Sequence, residues 1–373
     1  MTGRPPIPPL PVTPLPVTPS PVGTLAQQVW DGVPGALLFT LTLPDGSEAR
    51  VSNLGATLVS LRVPDRDGAL ADVTLGHEDP QAYLDRARTP YFGATIGRYA
   101  NRIAGGRFTL DGREVQLPLV EPHTTLHGGP EGFDRRLWTA QGSVGEDGPT
   151  VLFTRLSPDG EEGFPGNLNV SVRYTLRPDR AVQIDYHAVT DAPTVVNLTH
   201  HSYWNLSGDP SRSVLDHEVR LTAGQFTPVD AHLLPQPAHA PVQGTPFDLR
   251  EGRMLADALA QPHPQTERCG GFDHNFLLNG PAGQLRLAAT VRHALSGRVM
   301  DVQTTEPGVQ FYTGNALDGS VQGRGNVTYA AHAGLCLEPQ HYPDSPNRPD
   351  FPSTRLDPAQ PWYSRTVYAF RTD

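Results

Sequence analysis

The stretch VSVRYTLRPDRAVQIDYHA, Val170 to Ala188, decides the fold. Val170, Val172, Tyr174 and Leu176 alternate with Ser171, Arg173 and Thr175, and after the turn residues RPDR the same period resumes through Val182, Ile184, Tyr186 and Ala188. Successive strand side chains point to opposite faces, so this is the signature of two strands, each half buried, joined as a hairpin. The same pattern recurs on either side. Phe39, Leu41 and Leu43 run into the turn at Pro44 to Gly46, and Phe108 and Leu110 run through Asp111-Gly112 into Val115 and Leu117. Val299 and Val302, Val309 and Phe311, and the segment 362–370 add further short strands, with Gly or Pro between them. Helical periodicity is confined to short pieces near 80–86 and 251–260. With 37 Gly and 39 Pro in 373 residues, many short strands and almost no helix, the expected class is all-β, a large antiparallel β-sandwich.

Proline sets the expected organisation at the start of the chain. Nine prolines fall in the first 22 residues, around a repeated LPVTP at Leu10 to Pro14 and Leu15 to Pro19. Proline donates no backbone hydrogen bond and favours extended polyproline conformations, so residues 1–29 read as a disordered lead and 30–373 as a single β-sandwich domain. The long, proline-bearing loops Pro228 to Phe247 and Gln340 to Pro352 are of the kind that line sites.

Charge and cysteine content exclude several classes. The net charge is -10, and every one of the 29 basic residues is arginine; no clustered basic footprint points to nucleic acid or an anionic membrane. No apolar run of membrane-spanning length occurs, nor a signal-peptide pattern. Cys269 and Cys336 lie far apart without C-x-x-C spacing, which suggests a reduced, cytoplasmic protein.

The stretch VVNLTHHSYWNL, Val195 to Leu206, places two histidines side by side in a strand-like segment. Parity puts His200 with Val196, Leu198, Trp204 and Leu206, a structural setting, and His201 with Asn197, Thr199, Tyr203 and Asn205. An imidazole among hydrogen-bonding neighbours is the group able to move a proton near neutral pH. Elsewhere Asn101 and Arg102 stand in GRYANRI, His127 precedes two glycines, Asp273 opens DHNF and Gln310 lies in GVQFYTGN. Each has an ordinary reading as a turn, surface or strand residue. Glu338 differs, because a carboxylate inside the buried-looking run GLCLEP is costly unless it is paired or proton-tuned. Zinc is weakly suggested: His123 and His127 have i, i+4 spacing, but Thr124, Thr125 and Gly-Gly argue against a helix there. Nucleophile-elbow and phosphate-loop motifs are missing.

Taken in order, GRYANRI, LHGGPEGFD, NLTHHSYWNL, FDHNF, PGVQFYTGN and CLEPQHYPDSPN resemble the aldose 1-epimerase (galactose mutarotase) family over about residues 30 to 370. The resemblance implies the galactose mutarotase-like supersandwich and an isomerase that interconverts the α and β anomers of free aldohexoses such as galactose and glucose. It implies Glu338 as general base and His201 as general acid, with Asn101, Arg102, His127, Ser202, Tyr203, Asp273 and Gln310 binding the sugar, and neither metal nor cofactor. For such a pair the expectation is an ionised Glu338 beside a protonated His201, each favouring the other's charge. Two positions depart from the family's usual residues: His200, where asparagine is common, and Pro339, where threonine is common. A glycoside hydrolase using Asp273 and Glu338, another sugar-derivative epimerase and a non-catalytic carbohydrate-binding protein are the rival readings.

Overall fold

The computed structural model describes residues 21–373. Three antiparallel sheets dominate. A five-stranded meander runs Thr24–Val29, Leu37–Thr42, Glu48–Ser52, Thr57–Pro64 and Leu70–Asp72 in chain order. A nine-stranded sheet has the order Thr139–Gly145, Gly148–Ser157, Leu168–Leu176, Ala181–Thr190, Trp362–Thr372, Arg298–Thr304, Arg286–Arg292, Glu218–Leu221, Arg253–Met254. A six-stranded sheet orders Tyr203–Trp204, Leu335–Gln340, Gly308–Tyr312, Asp273–Leu278, Ala223–Phe226 and Ala240–Pro241. The Val170 hairpin forms as expected, Tyr174 facing Ile184 across the pair, and so do the hairpins at Pro44 and Asp111.

The long sheet is the common floor. Phe153 meets Phe39 of the meander edge to face at 6.1 Å, while Tyr368 and Phe370 pack on Trp204 of the six-stranded sheet at 4.8 and 5.7 Å. Tyr368 Oη also donates to the carbonyl of Leu337, one residue before Glu338, at 2.9 Å. One core cluster thus runs through all three sheets, and the strand carrying Glu338 is bolted to it from below. Trp204 is fully buried there. Trp204→Ala is expected to cost about 3 to 5 kcal/mol, read as a lower urea midpoint; a change under about 1 kcal/mol would mean this contact does not anchor the layer.

Two expectations change. Residues 1–20 of the proline-rich lead lie outside the described residues, but Thr24–Val29 is a strand paired along its whole length with Leu37–Thr42. Its sequence, TLAQQV, carries no proline to interrupt the ladder with Leu37–Thr42, and the sheet begins before residue 30. Helix is shorter than expected: Pro80–Leu84 is a 3₁₀ turn, and Leu255–Ala260 is α-helical, followed by a second short helix, Pro264–Cys269, that the sequence reading missed. The proline at its first position and Gly270 in the left-handed conformation after its end are the start and stop signals that were there to be read. No helix among the described residues is long and apolar enough to cross a membrane.

Candidate active site

The stretch Val195 to Leu206 is not one strand but three two-residue strands, Thr194–Val195, Thr199–His200 and Tyr203–Trp204, pairing with three different partners. Its polar row therefore works inward. Asn197 bonds the carbonyl of Ala100 and the amide of His341, Thr199 bonds the carbonyl of Pro339, and Asn205 bonds the carbonyls of Arg212 and Ala333. These bonds tie the segment to its neighbours and leave His201 to face the cavity. His200 turns away, its Nδ1 3.3 Å from Tyr174 Oη and its Nε2 2.7 Å from Ser202 Oγ. Burial pushes its pKa down to about 3, so it is a neutral packing residue.

Across the sheet, register assembles what sequence distance separates. Glu338 pairs with Gln310, and Gln310 with Asn275; one step along, Cys336 pairs with Tyr312, and Tyr312 with Asp273. Partners in register share a face, so Glu338, Gln310 and Asp273 rise from one surface. Gln310 Nε2 donates to Asp273 Oδ1 at 2.7 Å. The cavity above them is about 420 Å³ and is lined by Asn101, Arg102, His127, His201, Tyr203, Asp273, Gln310 and Glu338 among others. A larger groove, about 910 Å³, lies on the outer face of the nine-stranded sheet among strand-surface residues such as Gln141 and Arg173. Chemistry selects the smaller one.

Two left-handed residues build the far wall. Asn101 has φ +64° and His127 φ +52°, conformations that cost a non-glycine residue energy and persist only when neighbours hold them. The hold is reciprocal: His127 N donates to Asn101 O at 3.1 Å, and Asn101 N donates to His127 Nδ1 at 3.2 Å. Gly128 follows at φ +86°, where a Cβ would lie 2.0 Å from the carbonyl oxygen of Gly97; only glycine fits. Because Nδ1 of His127 accepts a hydrogen bond, its ring proton sits on Nε2 in the neutral form.

That tautomer bears on metal binding. A ring nitrogen of His127, one of His201 and an oxygen of Glu338 lie within 4.8 Å of one another. Neutral His127 offers a cation no lone pair, since Nδ1 is taken and Nε2 carries hydrogen. The arrangement is a donor aimed at a ligand, and it fits a hydroxylated molecule better than a metal ion.

At the centre, His201 Nε2 stands 3.7 Å from Glu338 Oε2, both side chains buried. Glu338 Oε2 has no hydrogen-bond partner among the described residues, and neither has Gln310 Oε1. Burial raises the Glu338 carboxyl well above its ordinary value, helped by the charge of Asp273 and opposed by Arg102. Burial also takes His201 down to about 4 and His127 well below its usual value, aided by His201. Burial thus works against the expected ion pair, pushing both groups toward their neutral forms.

The other residues named from the sequence divide. Arg102 lines the cavity, but its guanidinium is gripped by Glu121, Nε to Oε2 at 2.9 Å and Nη2 to Oε1 at 3.1 Å; burial opposes its charge, yet that bond and the Asp273 charge raise its pKa. Asn101 Oδ1 accepts the amide of Arg102. Tyr203 lies near-parallel to the His201 ring at 5.3 Å and supports it from the cavity edge. Ser202 does not reach the cavity, its hydroxyl being bonded to His200. Of the long loops, the first contributes Leu233 to the lining. The second supports from behind, Asp344 accepting Ala104 N and donating its own amide to Arg102 O.

Missed were Tyr91, Glu121 and Tyr312, which line the cavity, and Cys336, whose Sγ lies 3.7 Å from His201 Nδ1. Tyr91 stacks on His201 at 5.6 Å and meets His127 edge-on at 4.6 Å, and no periodicity marks it. Cys336 was legible, since it stands two residues before Glu338 and so on the same face.

The family model described as aldose 1-epimerase matches residues 38–369. The chain is 48% identical over 316 residues to a galactose mutarotase of Mus musculus, covering 85% of this chain and 89% of the mouse protein. It is 41% identical over 342 residues to an aldose 1-epimerase of Escherichia coli (strain K12), covering 91% and 96%. A solved galactose 1-epimerase from Lactobacillus acidophilus NCFM superposes with a TM-score of 0.82 at 27% identity, over 93% of this chain and 98% of that one.

Proposed function

We propose, from the premise that this chain belongs to the aldose 1-epimerase family, that Glu338 and His201 carry a proton-transfer reaction on a free aldohexose. The chain is an isomerase that interconverts sugar anomers; the roles of individual residues are our reading. The observation that carries it is the buried pair, His201 Nε2 and Glu338 Oε2 3.7 Å apart at the cavity floor, among hydroxyl-binding groups. The catalytic unit is taken as one continuous β domain from Thr24 onward. Galactose, named in the mouse relative, and glucose are the substrates proposed, and the two free cysteines suit a cytoplasmic setting.

Protons balance within the pair. Glu338 takes the proton of the C1 hydroxyl, the bond from C1 to the ring oxygen breaks, and the proton on His201 Nε2 passes to that oxygen. An open-chain aldehyde results. Rotation about the bond from C1 to C2 exposes the other carbonyl face, and reclosure with both transfers reversed gives the other anomer. The pair holds one proton throughout: on His201 with the closed sugar, on Glu338 with the open one. Burial favours the second arrangement, so the sugar's hydroxyls must supply the donors that ionise Glu338. Asp273, Gln310, Arg102, Asn101 and the Nε2–H of His127 hold the remaining hydroxyls, paired donor to acceptor.

The pH profile tests this. Only the pair holding one proton is active, so the rate falls on the alkaline side as pH rises through the raised Glu338 value, above the ordinary 4.5, and on the acid side as a second proton enters the pair near the lowered His201 value of about 4. Polarimetry of fresh α-D-galactose should give a bell whose two limbs belong to the pair, the alkaline limb above pH 4.5 and the acid limb below it. A flat profile, or an acid limb well above 4.5, would count against a buried pair that shares one proton.

A further inference from the structure

With the closed sugar bound, the proton of the pair sits on His201, and burial opposes that charge. Groups in contact with the ring must offset the loss of water. Glu338 Oε2 faces Nε2 at 3.7 Å, the thiol of Cys336 lies 3.7 Å from Nδ1, and neutral His127 meets the ring edge-on at 5.2 Å. Arg102, Arg268, Glu121 and Asp273 are the other charged groups of the cavity lining. The remaining neighbours are aromatic: Tyr203 stacks on the imidazole at 5.3 Å with 22° between planes, and Tyr91 at 5.6 Å with 24°. A cation within about 6 Å of a tyrosine ring is attracted by its π system, most strongly where water is excluded. From this geometry we infer that Tyr91 is a positioning residue for the reaction, its ring stabilising the imidazolium form of His201 and fixing the plane in which Nε2 meets the sugar.

Tyr203 belongs to a strand and to a core cluster, so packing alone accounts for its place. Tyr91 comes from a loop, is half-buried and lines the cavity, and the chain holds it there against strain. Its φ is +63°, a left-handed conformation that a bulky residue keeps only when neighbours fix it. Ala94 N donates to Tyr91 O at 3.1 Å, Gly93 N to His201 O at 2.9 Å, and His201 N to Ala94 O at 3.0 Å, so one turn fixes the tyrosine and the histidine backbone together. Gly93 permits that turn, since a Cβ there would lie 2.0 Å from Leu58 O. The ring itself is braced. The guanidinium of Arg86 lies over it at 4.3 Å and donates to buried Asp134 through Nη1 and, at 3.1 Å, through Nη2. That carboxylate offsets the arginine's charge, so the brace brings little net charge toward an imidazolium. The Tyr91 hydroxyl stays protonated, burial pushing its pKa up to about 12, and the ring remains neutral while His201 gains and loses its proton.

This inference rests on the proposed role of His201, and its first readout is independent of rate. Nitrogen-15 NMR at matched pH should show a smaller imidazolium fraction at His201 in Tyr91→Leu than in wild type, because leucine keeps the site dry and removes the π system. Tyr91→Phe, which keeps it, should match wild type. On fresh α-D-galactose, Tyr91→Leu should lower kcat about three- to thirtyfold, with KM held within a few-fold and the acid limb of the pH profile moved down, while Tyr91→Phe keeps most of the rate. Phenylalanines bearing one, two and three fluorines in place of Tyr91 weaken the π system at nearly constant shape, and the imidazolium fraction should step down with each fluorine. Should Tyr91→Leu fail to fold, that series decides. An imidazolium fraction unmoved by leucine or by fluorination, or a phenylalanine variant no better than leucine, would overturn the inference. A fully active His201→Gln variant would instead remove the catalytic reading and leave the titration result standing.

Discussion

Glu338→Gln is expected to lower kcat by about two to four orders of magnitude, the range typical of a positioned acid or base, with KM held within a few-fold. Glutamine keeps the shape and both polar atoms of the side chain but cannot accept the proton of the C1 hydroxyl. The loss should therefore fall on the chemical step and not on binding. Stability gives an independent check. Glu338 Oε2 is buried without a hydrogen-bond partner among the described residues, and a carboxyl whose proton affinity burial raises opposes folding at neutral pH, so the glutamine variant should melt no lower than wild type. A variant that melts earlier and binds poorly, with kcat intact, would identify Glu338 as a structural residue.

His201→Gln should cost about as much in kcat, because ring opening needs a proton on the ring oxygen as the C1 oxygen loses one. Its neighbour provides the control. His200 is bonded to Tyr174 and Ser202 and turned from the cavity, so His200→Asn should keep kcat within a few-fold while changing stability. Wild-type rate in His201→Gln, or collapse in His200→Asn without unfolding, would reverse the assignment of the two histidines. Steady-state polarimetry with thermal melts on the same samples separates these outcomes.

Much of this was legible in the sequence because strand parity is a local property. The period of two in Val170 to Ala188 gave the hairpins and the class, and the same parity chose His201 over His200. The parity argument put the two side chains on opposite sides although its premise was too simple, since the segment is three short strands joined by irregular turns. The side chains of His200 and His201 still diverge, and that was the only step the choice needed. What local pattern could not supply was register. Nothing in the separate stretches FDHNF, PGVQFYTGN and CLEPQ says that Gln310 lies opposite Glu338, or Cys336 opposite Tyr312; long-range pairing sets these. Burial was underestimated for the same reason. A carboxylate and an imidazole read from sequence attract each other, whereas the folded cavity first strips both of water, and desolvation decides their protonation. Tyr91 and Glu121 come from loops without periodicity, and only the folded chain brings them to the site. Ser202 was misplaced by adjacency: beside His201 in sequence, it points with His200.

The central claim is that Glu338 and His201 act as one proton-sharing unit, and the double variant tests it most directly. Polarimetric rates on fresh α-D-galactose should be measured for wild type, Glu338→Gln, His201→Gln and Glu338→Gln/His201→Gln, each confirmed folded. Groups that act as a unit are strongly non-additive, so the double variant should be no more than a few-fold slower than the slower single variant. Losses that multiply in full, or a single variant at wild-type rate, would show that the two side chains do not share the reaction.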